Sequence, residues 1–263
     1  MRWLERIAAR KREPSPADPM AVALAAANAG DYETALSIWE PLARNGVARA
    51  QNNIGACFAE GLGVPIDRQL ALRWLRLAAE AGDPVGERNY AAFHLQGLTG
   101  ADADYGTAAE YYRRAALQGD APAQDMLSWL LLEGEVIPPN PEEARRWAER
   151  AAAAGIASSM TRLGMLYHNA LGVERNAEKA ACWWRKGAER GDADAQAMLG
   201  AASHMGAGTA RDGVAALAWL IRAANGGSAL AASFIGQVRD SLSPAEIEEA
   251  ERRAGKPLPE ETP

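Results

Sequence analysis

The residues best suited to metal or acid–base chemistry are the three histidines, and two of them, His168 and His204, stand 36 residues apart. Imidazoles can begin a zinc site, but such a site needs three or four ligands brought to one point. A pair this widely spaced lacks the further ligands, so no metal site is expected and both side chains are read as solvated or hydrogen-bonded. His94 sits where Tyr167 stands in a later stretch of the chain, a packing position, and is read as core. The adjacent carboxylates Glu142 and Glu143, and again Glu248 and Glu249, fall at a helix start or on a charged face and point in different directions. Gly61-Leu-Gly63 and Gly206-Ala-Gly208 lack the strand and the lysine of a phosphate-cradling loop. A Gly-x-Ser-x-Gly elbow is missing too. The sequence therefore predicts no catalytic set, no cofactor site and no enzyme.

What the sequence does carry is a period. Trp39, Trp74, Tyr111, Trp147, Trp183 and Trp219 recur at intervals of 35, 37, 36, 36 and 36 residues. Such regularity marks one supersecondary unit copied about six times. Three residues before each aromatic stands Leu36, Ala71, Ala108, Ala144, Ala180 or Ala216, and four after stands Ala43, Ala78, Ala115, Ala151, Gly187 or Ala223. Small residues at helical spacing around a large ring let a second helix pack closely. The rings are expected to lie in the seam between repeats.

Helix boundaries repeat with the rings. Gly46, Gly82, Gly119, Gly155, Gly191 and Gly227 supply the left-handed residue that ends a helix. Asp67, Asp104, Asn140, Asn176 and Asp212 are N-caps for the ring-bearing helix, with Pro141 at a first helical position and Glu143 placed for a capping box. A second series of starts follows the glycines, at Asp83, Asp120, Asp192 and Ser228. Each period thus holds two helices of roughly 12–14 residues joined by short turns. The first helix of each pair has its own small residue at Gly55, Ala91, Ser128, Gly164 or Gly200, usually after a hydrophobic one such as Ile54, Leu127, Leu163 or Leu199.

The fold class is all-α: a right-handed solenoid of antiparallel helix pairs, about 36 residues per repeat. In a solenoid, 263 residues form one elongated domain. Residues 1–17 read as a basic arm and proline-rich linker, in which Trp3, Leu4 and Ile7 face one way and Arg2, Arg6, Arg10, Lys11 and Arg12 surround them. Residues 18–46 form a shorter first repeat, 47–227 five longer ones and 228–254 two capping helices. The last opens at Ser243-Pro244 with Glu246 placed for a capping box. Residues 255–263 are expected to be a disordered tail.

A net charge of −6 and a pI near 5.3 argue against a nucleic-acid partner, which calls for a basic surface. Cys57 and Cys182 are the only cysteines and lie three repeats apart, at roughly 10 Å per repeat too far to bridge. Both are read as small core residues, which fits a reducing compartment. With no apolar run near the ~20 residues that span a bilayer, and no uninterrupted apolar stretch at the N-terminus, the expected location is cytoplasmic.

Ala48-Arg-Ala-Gln-Asn-Asn-Ile-Gly55, Gly61-Leu-Gly-Val64 and Ala71-Leu-Arg-Trp74, repeated as Ala193-Asp-Ala-Gln-Ala-Met-Leu-Gly200, resemble the Sel-1-like repeat, a relative of the tetratricopeptide repeat. Gly30-Asp-Tyr-Glu-Thr-Ala35 is more similar to an ordinary tetratricopeptide repeat. The resemblance covers about 18–253. It implies a non-enzymatic adaptor that holds a partner protein or peptide in a helical groove, in bacterial signalling, regulation or complex assembly. Some members carry cysteine pairs within each repeat; this chain does not, which argues against a secreted, disulfide-stapled role.

In the related tetratricopeptide fold, offsets −3, +1, +4 and +5 from the small residue of each first helix line the concave face. Carried over, they give twenty positions, Glu60, Gln96, Glu133 and Thr161 among them, of which Asn52, Arg88, Leu95, Asp125, Trp129, Leu132, Met165, His168, Asn169, His204 and Met205 are taken as partner-binding residues. Trp129, Leu132, Met165 and Met205 would form an apolar floor of the kind that anchors a partner. Alternatively, Trp129 folds back into space left by Ile137-Pro138-Pro139. Two other functions stay open. One is a membrane-surface assembly factor, making weak contact through residues 1–13. The other, more remote, is an RNA-binding helical repeat, against which the acidic balance counts.

Overall fold

The computed structural model describes residues 18–98, 103–134 and 137–258, and every regular element among them is a helix. The basic arm, and the tail beyond 258, lie outside the described residues. The chain forms two compact units, 1–104 and 105–263.

The first unit holds α1 (Pro19–Asn28), α2 (Tyr32–Arg44), α3 (Ala48–Glu60), α4 (Arg68–Glu80) and α5 (Pro84–Leu95). Each helix packs on its successor, and α3 also lies against α5. The second holds α6 (Tyr105–Leu117), α7 (Ala121–Glu133), α8 (Pro141–Ala153), α9 (Ala157–Asn169), α10 (Ala177–Glu189), α11 (Ala193–Met205), α12 (Gly213–Asn225), α13 (Ala232–Asp240) and α14 (Pro244–Ala254). Here the first helices α7, α9 and α11 meet one another in a row, with α8, α10 and α12 beside them. Both units are stacks of antiparallel helix pairs, the α-solenoid class.

Local chemistry sets the helix ends. The side chains of Asp31, Asp67, Asp83, Asp120, Asn140, Asn176, Asp192 and Asp212 each accept a backbone N–H from their helix's first turn. The closing glycines from Gly46 to Gly227 all have φ between 80° and 92°. In the turn between the paired helices, Gly61 and Gly206 end α3 and α11 in the left-handed conformation, while Ala170 does so after α9 without the glycine that would make it easy. The second glycine of the turn is needed for space. A Cβ on Gly208 would lie 2.0 Å from the carbonyl oxygen of Ala177 in α10.

Ser228 is not a helix start. Helix α13 begins at Ala232 without a side-chain cap, and the Ser228 hydroxyl donates to Asp194 Oδ1 at 2.6 Å. Neither does Glu143 close a capping box. The Asn140 N–H that it would accept is already given to the Leu131 carbonyl at 2.9 Å. The Glu143 carboxylate turns instead to Arg113 of α6 and accepts the Trp147 indole N–H at 3.1 Å. Ser243 and Glu246, by contrast, form a complete capping box on α14.

The seam between paired helices is closed by the small residue of the first helix and the residue one place after the periodic aromatic in the second. A Cβ on Gly55 would strike Leu75, on Gly164 Trp184, and on Gly200 Leu220, all within 3 Å. In the register where the second helix offers only Ala148, the first helix carries Ser128. The periodic rings themselves lie, as expected, between repeats: Trp74 packs on the cluster of Ala35, Trp39 and Ala43, Trp183 on that of Ala148 and Ala152, and Trp219 on that of Ala180, Trp184 and Ala188. Trp39 and Trp147 are buried there, whereas Trp74, Tyr111, Trp183 and Trp219 are half-buried, because the residue after each of them takes the fully buried place within the helix pair. In the second unit their outer faces are covered by a cation three residues on: Arg114 over Tyr111, Arg150 over Trp147, Lys186 over Trp183 and Arg222 over Trp219, 4.2–5.7 Å from the ring centres.

The recurring Gln of Ala-x-Ala-Gln also has a physical role. Gln51, Gln124 and Gln196 each donate their side-chain amide, at 3.1 Å, to the carbonyl eight residues earlier, near the end of the preceding helix. Each of these carbonyls near a helix end also accepts the N–H of the closing glycine three residues on, and the amide ties it to the next repeat. Cys57 is buried in α3, but Cys182 of α10 is exposed rather than core, since it precedes Trp183 on the outer face; both are free thiols.

Candidate interaction cleft

In the second unit, α7, α9 and α11 run side by side and leave a cleft of about 430 Å³ along their shared face. Its apolar wall is Trp129 and Leu132 of α7, Met165 and Leu166 of α9, and Leu171 of the following turn. The side chains converge because Trp129 is one residue past Ser128, the point of closest helix approach, and Met165 one past Gly164. One helical step from the buried position turns both outward. Trp129 is half-buried and lines the cleft, and Met165 is 42% exposed.

The rim is polar and built across repeats. Asp125 of α7 accepts from Ser158 Oγ at 2.9 Å, from Ser159, and from the Arg162 guanidinium of α9. Both charged side chains of that ion pair are 13% exposed. Thr161 donates to Asp192 Oδ1 at 2.7 Å, tying α9 to the start of α11. Glu133, Asp192 and Asp194 complete the rim.

The remaining partner-binding residues expected from the sequence fall elsewhere. Asn52, 3% exposed, accepts the Asn89 side-chain amide at 2.8 Å and so links α3 to α5. Asp125 is held as described. His168 packs its ring 5.4 Å from that of Trp184, and Asn169, His204 and Met205 lie at helix C-termini outside the cleft lining, with Met205 59% exposed. The first unit has a smaller hollow of about 290 Å³ between α3 and α5, lined by Ala56, Ala59, Ala92, Glu60 and Gln96 among others; Arg88 and Leu95 do not line it. Sequence reasoning passed over Asp192 and Asp194 as rim residues. Both open the next first helix, and Asp192 is recognisable in sequence only as a cap.

Titratable groups elsewhere behave as packing dictates. Burial, with the Glu60 carboxylate nearby, pushes the Cys57 thiol up to about 11, which makes it unreactive at neutral pH. Burial holds His94 below the usual imidazole range against the pull of Asp104, 3.8 Å from its Nδ1, while Tyr90 meets the ring edge-on at 4.6 Å. No three His, Cys, Asp or Glu side chains cluster as a metal site among the described residues. No helix among them is long and apolar enough to cross a membrane.

The helix pairs, their period and their tight small-residue seams define a solenoid protein of the tetratricopeptide-like class. A family model described as Sel1 repeat matches residues 48–83, 84–120, 121–156, 157–192 and 193–228, more than half of the chain, which therefore belongs to the Sel1 repeat family. The family is generally one of non-enzymatic scaffolds that bind other proteins. Among solved structures, the chain is similar to c5321, a protective antigen of uropathogenic Escherichia coli displaying an SLR fold (27% identity, 92% of this chain, 54% of that chain, TM-score 0.84). It is also similar to a Sel1 repeat protein from Oxalobacter formigenes (27% identity, 90% of this chain, 98% of that chain, TM-score 0.76). A curated relative, the DAP3-binding cell death enhancer 1 of Mus musculus, is 32% identical over 100 residues, 38% of this chain and 19% of its own. The chain thus spans about half the length of the first structure and a fifth of the mouse relative.

Proposed function

We propose that this protein is an adaptor that holds a segment of a partner protein in the cleft formed by α7, α9 and α11. The observation that carries the reading is the convergence of Trp129, Leu132 and Met165 from successive repeats on one cleft of about 430 Å³. A half-buried tryptophan beside a flexible methionine is the kind of surface on which a few side chains supply most of the binding energy. The volume suits one or two anchoring side chains. We assign Asn52 and Asp125 to repeat-to-repeat bonding and leave Arg88, Leu95, His168, Asn169, His204 and Met205 as secondary contacts for a longer partner. A role in bacterial signalling or assembly and a cytoplasmic location belong to the same proposal, supported by the exposed free thiol of Cys182.

The test is affinity capture from the native cell, with Trp129→Ala/Met165→Ala as the altered bait. Loss of specific partners with unchanged helicity supports the reading. Full capture by the double variant refutes it.

A further inference from the structure

From the charge of this cleft we infer the chemistry of its occupant: an extended segment in which apolar side chains alternate with lysine or arginine. The inference rests on the cleft reading above. Glu133, Asp192 and Asp194 stand on the rim against one cation, Arg162, which Asp125 already neutralises. None of the three acids is paired with a cation among the described residues. Asp192 and Asp194 accept hydroxyl hydrogen bonds from Thr161 and Ser228, which hold the carboxylates in place and leave their charge.

The spacing favours an extended partner. First helices of adjacent repeats sit about 10 Å apart, and a strand advances about 3.3 Å per residue. About six residues therefore carry a peptide from Trp129 and Glu133 on α7 to the acids at the start of α11. Side chains alternate along such a segment, so one set enters the apolar floor while the other meets the rim. A cation near Trp129 would gain from the ring face as well.

Three fluorescein-labelled peptides on the intact chain test this by anisotropy: Gly-Lys-Leu-Lys-Phe-Lys-Leu-Gly, the same with Glu for Lys, and the same with Gln for Lys. The lysine peptide is expected to bind tightest, the glutamate peptide not to saturate, and raising salt from 50 to 300 mM to weaken the lysine peptide alone. Glu133→Gln/Asp194→Asn should weaken the lysine peptide about tenfold and leave the glutamine peptide unchanged. Trp129→Ala should weaken both. If all three peptides bind alike and depend on Trp129, the cationic assignment is overturned while the cleft reading stands. Should the lysine peptide bind equally well to Trp129→Ala, or none bind at all, the inference fails. In those cases the capture experiment judges the cleft separately.

Discussion

Gly164→Ala should destabilise the second unit although alanine is the better helix former. The added Cβ would lie 2.3 Å from both Cδ1 and Nε1 of Trp184 and 2.9 Å from Cε2. Ordinary carbon contacts are about 3.5–4.0 Å, so the ring would have to retreat by more than 1 Å on the order of that difference. It has nowhere to go. Trp184 is 4% exposed, packed with Ala180, Ala188, Leu199 and Ala202, with the His168 ring tilted beside it. Relief requires α9 and α10 to part, and overpacking of this kind costs about 1–3 kcal/mol. With the clash on a rigid ring we take ~3 kcal/mol and subtract ~1 kcal/mol for alanine over glycine in a helix, leaving ~2 kcal/mol.

Gly236→Ala is the control. It lies inside α13 with nothing within 4 Å of the added carbon, so only the propensity gain of ~0.5–1 kcal/mol remains. Urea unfolding followed by circular dichroism reads both. With a slope of ~3 kcal/mol/M, the midpoint should fall by about 0.7 M for Gly164→Ala and rise by about 0.2–0.3 M for Gly236→Ala. Trp184→Leu, which places there the residue found at Leu75 and Leu220, should reduce the cost of Gly164→Ala through a coupling of ~1 kcal/mol. An unchanged or raised midpoint for Gly164→Ala, or an equal cost in the Trp184→Leu background, refutes the reasoning.

Ala170→Gly should raise stability by ~0.5–1 kcal/mol, because Ala170 holds φ = 59° where glycine pays no Cβ penalty; a fall in the urea midpoint would contradict this. Gln124→Leu should cost ~0.5–1.5 kcal/mol, the net worth of its amide's bond to the Ala116 carbonyl, which keeps the Gly119 N–H at 3.1 Å; a urea midpoint at or above that of the wild type would contradict this. Glu143→Gln tests a pH effect. The Arg113 hydrogen bond, aided by the Trp147 indole, holds the Glu143 carboxyl below its ordinary range, so the folded state favours the ionised form. Its contribution should be fully present above about pH 4.3 and disappear as pH falls further through the lowered value. The midpoint difference between wild type and Glu143→Gln, measured from pH 7 down to 3, should shrink over that lower range; a difference constant with pH would exclude it.

What was legible in the sequence was whatever is settled within one repeat. The period, the Asp and Asn caps, the left-handed glycines and the small residues at Gly55, Gly164 and Gly200 follow from interactions within a helix or between paired helices, and 36-residue recurrence repeats them. Ser228, Glu143 and Cys182 were misplaced because their surroundings depend on another repeat or on a face the local pattern does not reveal. Ser228 is taken by Asp194, 34 residues away, and Glu143 by Arg113, 30 residues away. The candidate site divides in the same way. At offset −3 from the small residue, Asn52 bonds Asn89, Asp125 bonds Ser158 and Arg162, and Thr161 bonds Asp192, each in the following repeat. That offset stitches the stack, and a polar residue there is consumed by it. At offsets +1 and +4, Trp129, Leu132 and Met165 have no stitch to make and reach the cleft. A polar side chain at offset −3 is therefore spent on the next repeat before it can serve a partner. This is why Asn52 and Asp125 are taken up by the stack while Trp129, Leu132 and Met165 line the cleft.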